Sequence, residues 1–290
     1  MPITDVKASN DGYITSANAN YDTARNAIAG NQAITIILYI GQLVTPIYGI
    51  RRPFASFQIP DMVSLTAASL FLNGAADFST TDFDIYIHLS TYSDPLVKED
   101  FDLFDGHQAS GAYNGTILNN AWNSVDYSAG WNEIVFNAAG LSAVLAAKNS
   151  TLKIVLISKE DYDNSVPTYD EYCAFNSSET AGNEPYLSIT YTAPPPPVDV
   201  SGISDAILTS LLSLTTAKIG VSSVSNSELL SDLLISRDVQ LSGLSNSVLN
   251  SGLFFPSIFY VSGSELIKLY TRNHLTVAGE EITHGIIRGY

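Results

Sequence analysis

Four consecutive prolines, Pro194-Pro195-Pro196-Pro197, constrain this chain more than any other feature. They lack backbone donors and fix φ, so the run belongs in neither a helix interior nor a sheet ladder and is expected to form a semi-rigid polyproline II spacer. The sequence before it closes as a strand-like run from Tyr186 to Tyr191, and the sequence after it turns Ser/Leu-rich. Three regions follow: residues 1–193, a proline-rich linker at 194–200, and residues 201–290. Charge divides at nearly the same place, with 22 acidic and 8 basic residues before position 201 and 7 and 5 after it. The net charge of −16 leaves no Lys/Arg patch to release phosphate counterions, which argues against nucleic acid as a partner.

Residues 1–193 read mainly as strands: Ala33 to Ile40, Tyr48 to Ile59, Ser64 to Leu72, Asp82 to Ser90, Trp131 to Phe136, Leu152 to Ser158 and Tyr186 to Tyr191. In the fourth, Phe83, Ile85, Ile87 and Leu89 alternate with Asp82, Asp84, Tyr86 and His88, which predicts one face on a core and one in solvent. Asn137 to Lys148 is the helical exception, with Asn137 as cap and Leu141, Val144 and Leu145 as its apolar stripe. Seven or more antiparallel strands predict an all-β dominated chain: a jelly-roll-like β-sandwich, the proline linker, then a small Ser/Leu-rich repeat with a β-hairpin assembly region. The polar stretch from Tyr92 to Ala129 is expected to form surface loops pinned by Phe101, Phe104, Tyr113 and Trp122.

In residues 201–290 the pattern Ser-x-x-x-Leu-x-Ser-x-Leu starts at Ser204, Ser225 and Ser245, 21 and 20 residues apart. Its leucines are Leu208 and Leu212, Leu229 and Leu233, and Leu249 and Leu253. A period near 20 fits a small solenoid, and leucines four apart also fit one face of short Ser-capped helices, so both readings stay open. With few charges and many leucines, this region is expected to bury surface against copies of itself or other structural subunits. Beyond it, strands at Ser257 to Val261, Leu266 to Arg272 and Leu275 to Ala278 are expected, with a turn at Ser262-Gly263 and a hairpin closed at Gly279-Glu280-Glu281 into Ile282 to Ile287.

No catalytic constellation emerges, and an enzyme is not expected. G-x-S-x-G, P-loop and G-x-G-x-x-G patterns are absent. His88 and His107 read as surface residues, and His274 and His284 lack metal-ligand spacing. Cys173, alone between apolar and acidic neighbours, reads as a buried, inert thiol. Of the acidic clusters, Asp161, Asp163 and Asp170 are the candidate metal ligands, and calcium is the cation they would take, although no cofactor is required. A glycan hydrolase would instead pair Asp161 or Asp163 with Asp100 or Asp102. Tyr92, Tyr113, Tyr127, Tyr162 and Tyr169 stand in polar loops and are the candidate surface-binding residues for glycans or proteins, the alternative being that they pin those loops.

Residues 11–191 resemble the DNRLRE-type module, a β-sandwich related to carbohydrate-binding modules. The matching segments are Asp11-Gly12-Tyr13-Ile14, Arg51-Arg52-Pro53-Phe54-Ala55-Ser56-Phe57-Gln58, Ala67-Ala68-Ser69-Leu70-Phe71-Leu72, Trp131-Asn132-Glu133-Ile134, Phe175-Asn176-Ser177-Ser178-Glu179 and Glu184-Pro185-Tyr186-Leu187-Ser188-Ile189-Thr190-Tyr191. The resemblance implies a spacer, adhesion or sugar-binding scaffold. Met1-Pro2 begins no secretory signal, and no apolar run is long enough for membrane insertion, so a virion or extracellular surface is the expected setting.

Overall fold

In the computed structural model, residues 3–44 and 46–196 are described, together with seven short strands between Val198 and Leu269. The first unit, Met1–Ala193, contains β1 (Ile3–Asn18), β2 (Gln32–Ile34), β3 (Ile37–Leu43), β4 (Tyr48–Gln58), β5 (Ser64–Asp77) and β6 (Asp84–Leu89). It continues with β7 (Trp122–Asn123), β8 (Trp131–Val135), β9 (Thr151–Ser158), β10 (Glu171–Asn176) and β11 (Tyr186–Thr192). The helices are α1 (Tyr21–Arg25), α2 (Ala138–Ala146) and α3 (Lys159–Asp163).

Two long strands close the sheet on itself by changing partners midway. Ile3 to Lys7 of β1 pair with β11, whereas Ala8 to Asn18 pair with β4 across a register shift between Ala8 and Asn10. In β5, Ser64 to Phe71 pair with β11 and Gly74 to Asp77 pair with β10. Irregularities of this kind bend a strand and let it serve two sheets. The antiparallel ring runs β1-β11-β5-β10-β3-β4 and back to β1, a closed six-stranded barrel. Beyond the ring, β9, β6 and β7 extend from β4, β8 lies along β5, and β2 lies along β1. The expected antiparallel, β-dominated architecture is present; its core is a barrel with added strands.

Alternation along β4 and β9 feeds two cores. Ala55 and Phe57 of β4, with Leu152, Ile154 and Leu156 of β9, enter the main core alongside Leu70, Phe175 and Ile189. Ile50 and Phe54, with Val155 and Ile157, point the other way. There they meet Tyr92, Phe101, Phe104 and Tyr113 from the long loop after β6. A strand buried on both faces has no solvent-facing side, which explains why β9 reads as a near-continuous apolar run. The helix α2 packs on the main core as expected: Asn137 accepts from the Gly140 amide at 3.0 Å, and Val144 is fully buried. Gly140 is required by proximity, since a Cβ there would lie 2.1 Å from the Leu118 carbonyl oxygen.

Pro194–Tyr290 forms a separate unit. Its described strands are β12 (Val198–Ser201), β13 (Ile219–Ser222), β14 (Glu228–Leu230), β15 (Val239–Ser242), β16 (Val248–Asn250), β17 (Phe259–Ser262) and β18 (Lys268–Leu269). They pair in parallel in two ladders, β12-β13-β15-β17 and β14-β16-β18. Ser201, Ser222, Ser242 and Ser262 fall in register, as do Leu229, Leu249 and Leu269. Leu229 and Leu249 therefore lie on strands, and the short-helix alternative does not hold for them. Leu208, Leu212, Leu233 and Leu253, like the hairpin expected at Gly279, lie outside the described residues.

Candidate functional site

Beneath the loop that follows β6 lies a polar knot. Arg52 projects from β4 on the second-core face and meets Asp161 of α3 side-on: Nε donates to Oδ2 at 2.8 Å and Nη2 to Oδ1 at 2.9 Å. Its other donors reach the carbonyl oxygens of Phe101 at 3.0 Å and Arg25 at 2.9 Å, and the Tyr113 hydroxyl. Arg25, at the end of α1, gives Nε to the Asp161 carbonyl oxygen at 2.7 Å, and its guanidinium lies 3.8 Å from the Tyr113 ring centroid. Both arginines are 0% exposed. Two guanidiniums share one carboxylate, and carbonyl oxygens and ring faces supply the remaining acceptors. Burial opposes the Arg52 charge, but Asp161 outweighs it and holds the guanidinium pKa above its ordinary value.

The candidate metal ligands meet different partners. Asp161 belongs to the knot, Asp163 is ion-paired with Lys159, and the Asp170 carboxylate accepts from the Val44 amide at 2.8 Å. Among the described residues, no group of three or more His, Cys, Asp or Glu side chains converges in metal-binding geometry. Asp100, a partner in the hydrolase alternative, accepts from the Ser93 amide at 3.0 Å, the Ser93 hydroxyl at 2.7 Å and the Val97 amide at 2.9 Å. Both Asp100 and Asp161 thus hold loop backbone or buried cations in place.

The tyrosines divide. Tyr92 and Tyr113 are buried, which corrects their reading as surface-binding residues: Tyr92 packs on Phe54, and Tyr113 closes the knot. Tyr127 and Tyr162 are half-buried, and Tyr169 is exposed. His88 also needs correction. It lies on the polar side of its alternating strand, yet the loop after β6 covers that side. Its ring stacks on Tyr162 at 5.5 Å and neither nitrogen has a hydrogen-bond partner. Burial lowers its pKa from 6.5 to about 4. His107 is half-buried between Phe104 and Tyr113 and is lowered to about 4 for the same first reason. Cys173 is buried as expected, and burial pushes its thiol pKa up.

A surface the sequence did not single out lies on the outer face of β1, β11, β5 and β8. Leu187, Ile189, Leu70, Leu72 and Ile134 point inward, so period-2 alternation sends Tyr186, Phe71 and Trp131 outward. Tyr186 and Phe71 are cross-strand partners whose rings stack at 4.8 Å, and Trp131 sets its ring at 69° to Tyr186 at 4.9 Å. Trp131 remains 41% exposed, and a Lys7–Glu184 ion pair at 3.2 Å borders the strip. Rigid rings on a solvent-facing sheet can stack the apolar faces of sugars at low entropic cost. A Trp in a strand signals this only when the register is known.

No family model and no curated protein matches the chain. The architecture is that of a generic β-sandwich or barrel module.

Proposed function

We propose that the chain is a non-enzymatic structural protein of a virion or surface appendage, of the decoration, head-fibre or tail-fibre kind. Residues 201–290 build, through copies of themselves or neighbouring subunits, and the barrel unit is presented outward. The observation that carries this reading is the parallel pairing of short strands in register, with successive partners 21, 20 and 20 residues apart. A stack of this kind adds coil upon coil, and its ends and apolar faces need covering. The low charge of the region and the resemblance of residues 11–191 to spacer and adhesion modules support the same reading.

Cross-linking of a mixture of isotopically light and heavy full-length protein tests it. Mixed light–heavy links through Lys218 and Lys268 are expected. Links confined to single chains contradict the proposal.

A second reading, glycan adhesion, is favoured by the Trp131–Tyr186–Phe71 strip. A glycan array probed with the full-length protein should show binding that Trp131→Ala abolishes. Binding unchanged by that substitution removes the strip from consideration.

A further inference from the structure

Where α3 lies over the ends of β3 and β10, buried oxygens gather without donors. Register sets the first two side by side: Glu171 of β10 pairs with Gln42 of β3, and Gln42 pairs with Ile50 of β4. Directly opposed residues share a face, with Cβ atoms about 4.5–5.5 Å apart. Ile50 belongs to the second core together with Tyr21 of α1, so the row faces the helices. The Gln42 amide nitrogen donates to the Ser158 hydroxyl at 3.2 Å, and Ser158 is the N-cap of α3, whose second residue is Glu160. Glu160 is thereby brought to the same row. Burial first, and then the charge of Glu171, raise its pKa to about 7.

Gln42 is 0% exposed and Glu171 8%. Gln42 Oε1, Glu171 Oε2 and Glu160 Oε2 are all buried without a hydrogen-bond partner. The Tyr21 hydroxyl stands beside the Gln42 amide but gives its proton to the Glu160 carbonyl oxygen at 3.3 Å. The Thr81 hydroxyl donates to the other Glu171 oxygen, Oε1. Among the described residues, no ion pair supplies a cation to either glutamate. Lys159 pairs with Asp163, Arg25 and Arg52 share Asp161, and Arg51 projects to the opposite face beside Tyr39 and Tyr172.

Three acceptors thus face one another, two of them on carboxylates, and buried charge left uncompensated is strongly destabilising. Carboxylates with an amide carbonyl are the donor set of a hard cation, and the set holds no thiolate or imidazole to favour a transition metal. Calcium accepts an irregular shell of about six to eight oxygens, water included, whereas magnesium demands a near-ideal octahedron and sheds its waters reluctantly. We propose that Gln42, Glu160 and Glu171 bind one calcium ion, which ties α3 to the β3–β10 pair. The site uses none of Asp161, Asp163 and Asp170, and it is independent of the building role of residues 201–290.

Calorimetric titration of the chelator-treated full-length protein with calcium chloride or magnesium chloride, near pH 8 and at about 0.15 M salt, tests the proposal. One calcium per chain is expected, with a Kd of about 0.1–1 mM as in extracellular calcium modules, and magnesium at least about ten-fold weaker. Glu171→Gln and Glu160→Gln should each weaken calcium about ten-fold or more, with Asp126→Asn, an exposed carboxylate, leaving it unchanged. Calcium should also raise the melting temperature of the parent and not that of the two glutamine variants. In chelator the variants should melt no lower than the parent, because each removes one of two facing charges. Glu160 is only half-buried, so its variant decides the matter if Glu171→Gln does not fold. Absence of calcium binding overturns the proposal, and it is the result expected if the Gln42 amide is turned to donate to both carboxylates. Full binding by folded Glu160→Gln, or several weak sites insensitive to both substitutions, overturns it equally.

Discussion

Arg52 and Asp161 face each other in a fully buried two-point contact, with Nε to Oδ2 at 2.8 Å and Nη2 to Oδ1 at 2.9 Å. They lie 109 residues apart in sequence, so the pair fixes α3 against β4 and, through Tyr113 and the Phe101 carbonyl, the loop above both. Removing one partner of such a pair leaves a buried charge uncompensated and costs about 3–5 kcal/mol. Asp161→Asn should therefore destabilise the barrel unit by about that amount in urea denaturation at pH 7. Trp122 and Trp131 are the only tryptophans and both lie in that unit, so fluorescence follows it selectively. A loss below about 1 kcal/mol would show that the knot does not hold the fold together.

The buried histidine makes stability depend on pH. His88 has a pKa near 6.5 when unfolded and about 4 when folded. Between those values the unfolded chain binds more protons, so His88 withdraws stability as the pH falls from 6.5 towards 4. Glu160 acts with the opposite sign, because burial raises its pKa from 4.5 to about 7, and folding is favoured as it takes up its proton. The stability difference between His88→Leu and the parent protein isolates the histidine. It should be constant above pH 7 and shift in favour of the variant as the pH falls from 6.5 to 4. A difference independent of pH would contradict the buried, neutral imidazole.

Much of the first unit was legible because β6, β8, β9 and β11 carry unbroken apolar or alternating patterns. The first strand, β1, was not. Its residues Ile3 to Asn10 alternate between exposed and half-buried, whereas Asp11 to Ile14 are all buried, because the strand leaves one partner for another midway. No single period describes it. Strand β10 was hidden as well: Glu171 and the lone Cys173 gave it no strand-like alternation, and its burial comes from β3 and β5 on its two edges. His88 and Tyr113 were misread for a related reason. The surface that covers them is assembled from the loop after β6 and α3, distant in sequence, and local polarity carries no trace of it. Asp161 was read as a metal ligand, whereas its carboxylate meets Arg25 and Arg52, which come from α1 and β4, and no spacing rule links the three.

Two glycines cross in the long loop after β6. A Cβ on Gly106, at φ +79°, would lie 1.8 Å from the Gly115 amide nitrogen, and one on Gly115 would lie 2.0 Å from the Asp105 carbonyl oxygen. The backbone approach is the device that folds this loop down over His88. Gly115→Ala should cost at least about 1 kcal/mol and expose the loop to limited proteolysis between β6 and β7. Unchanged melting temperature and cleavage would show that the loop tolerates separation.

Trp131 offers the reverse case. It packs edge to face on Tyr186 but remains substantially exposed. Trp131→Ala should cost only about 0.5–1.5 kcal/mol of stability while removing glycan retention in affinity electrophoresis. Loss of folding instead would mean that the strip is part of the core.

Residues 201–290, as the proposed building unit, should make the full chain self-associate. Size-exclusion chromatography with light scattering, run in parallel on the full chain and on residues 1–193, tests it directly. The barrel unit alone should elute as a monomer, and the full chain, 31.2 kDa by sequence, at a discrete multiple of that mass. A full chain that remains a stable monomer at high concentration would contradict a building role for residues 201–290.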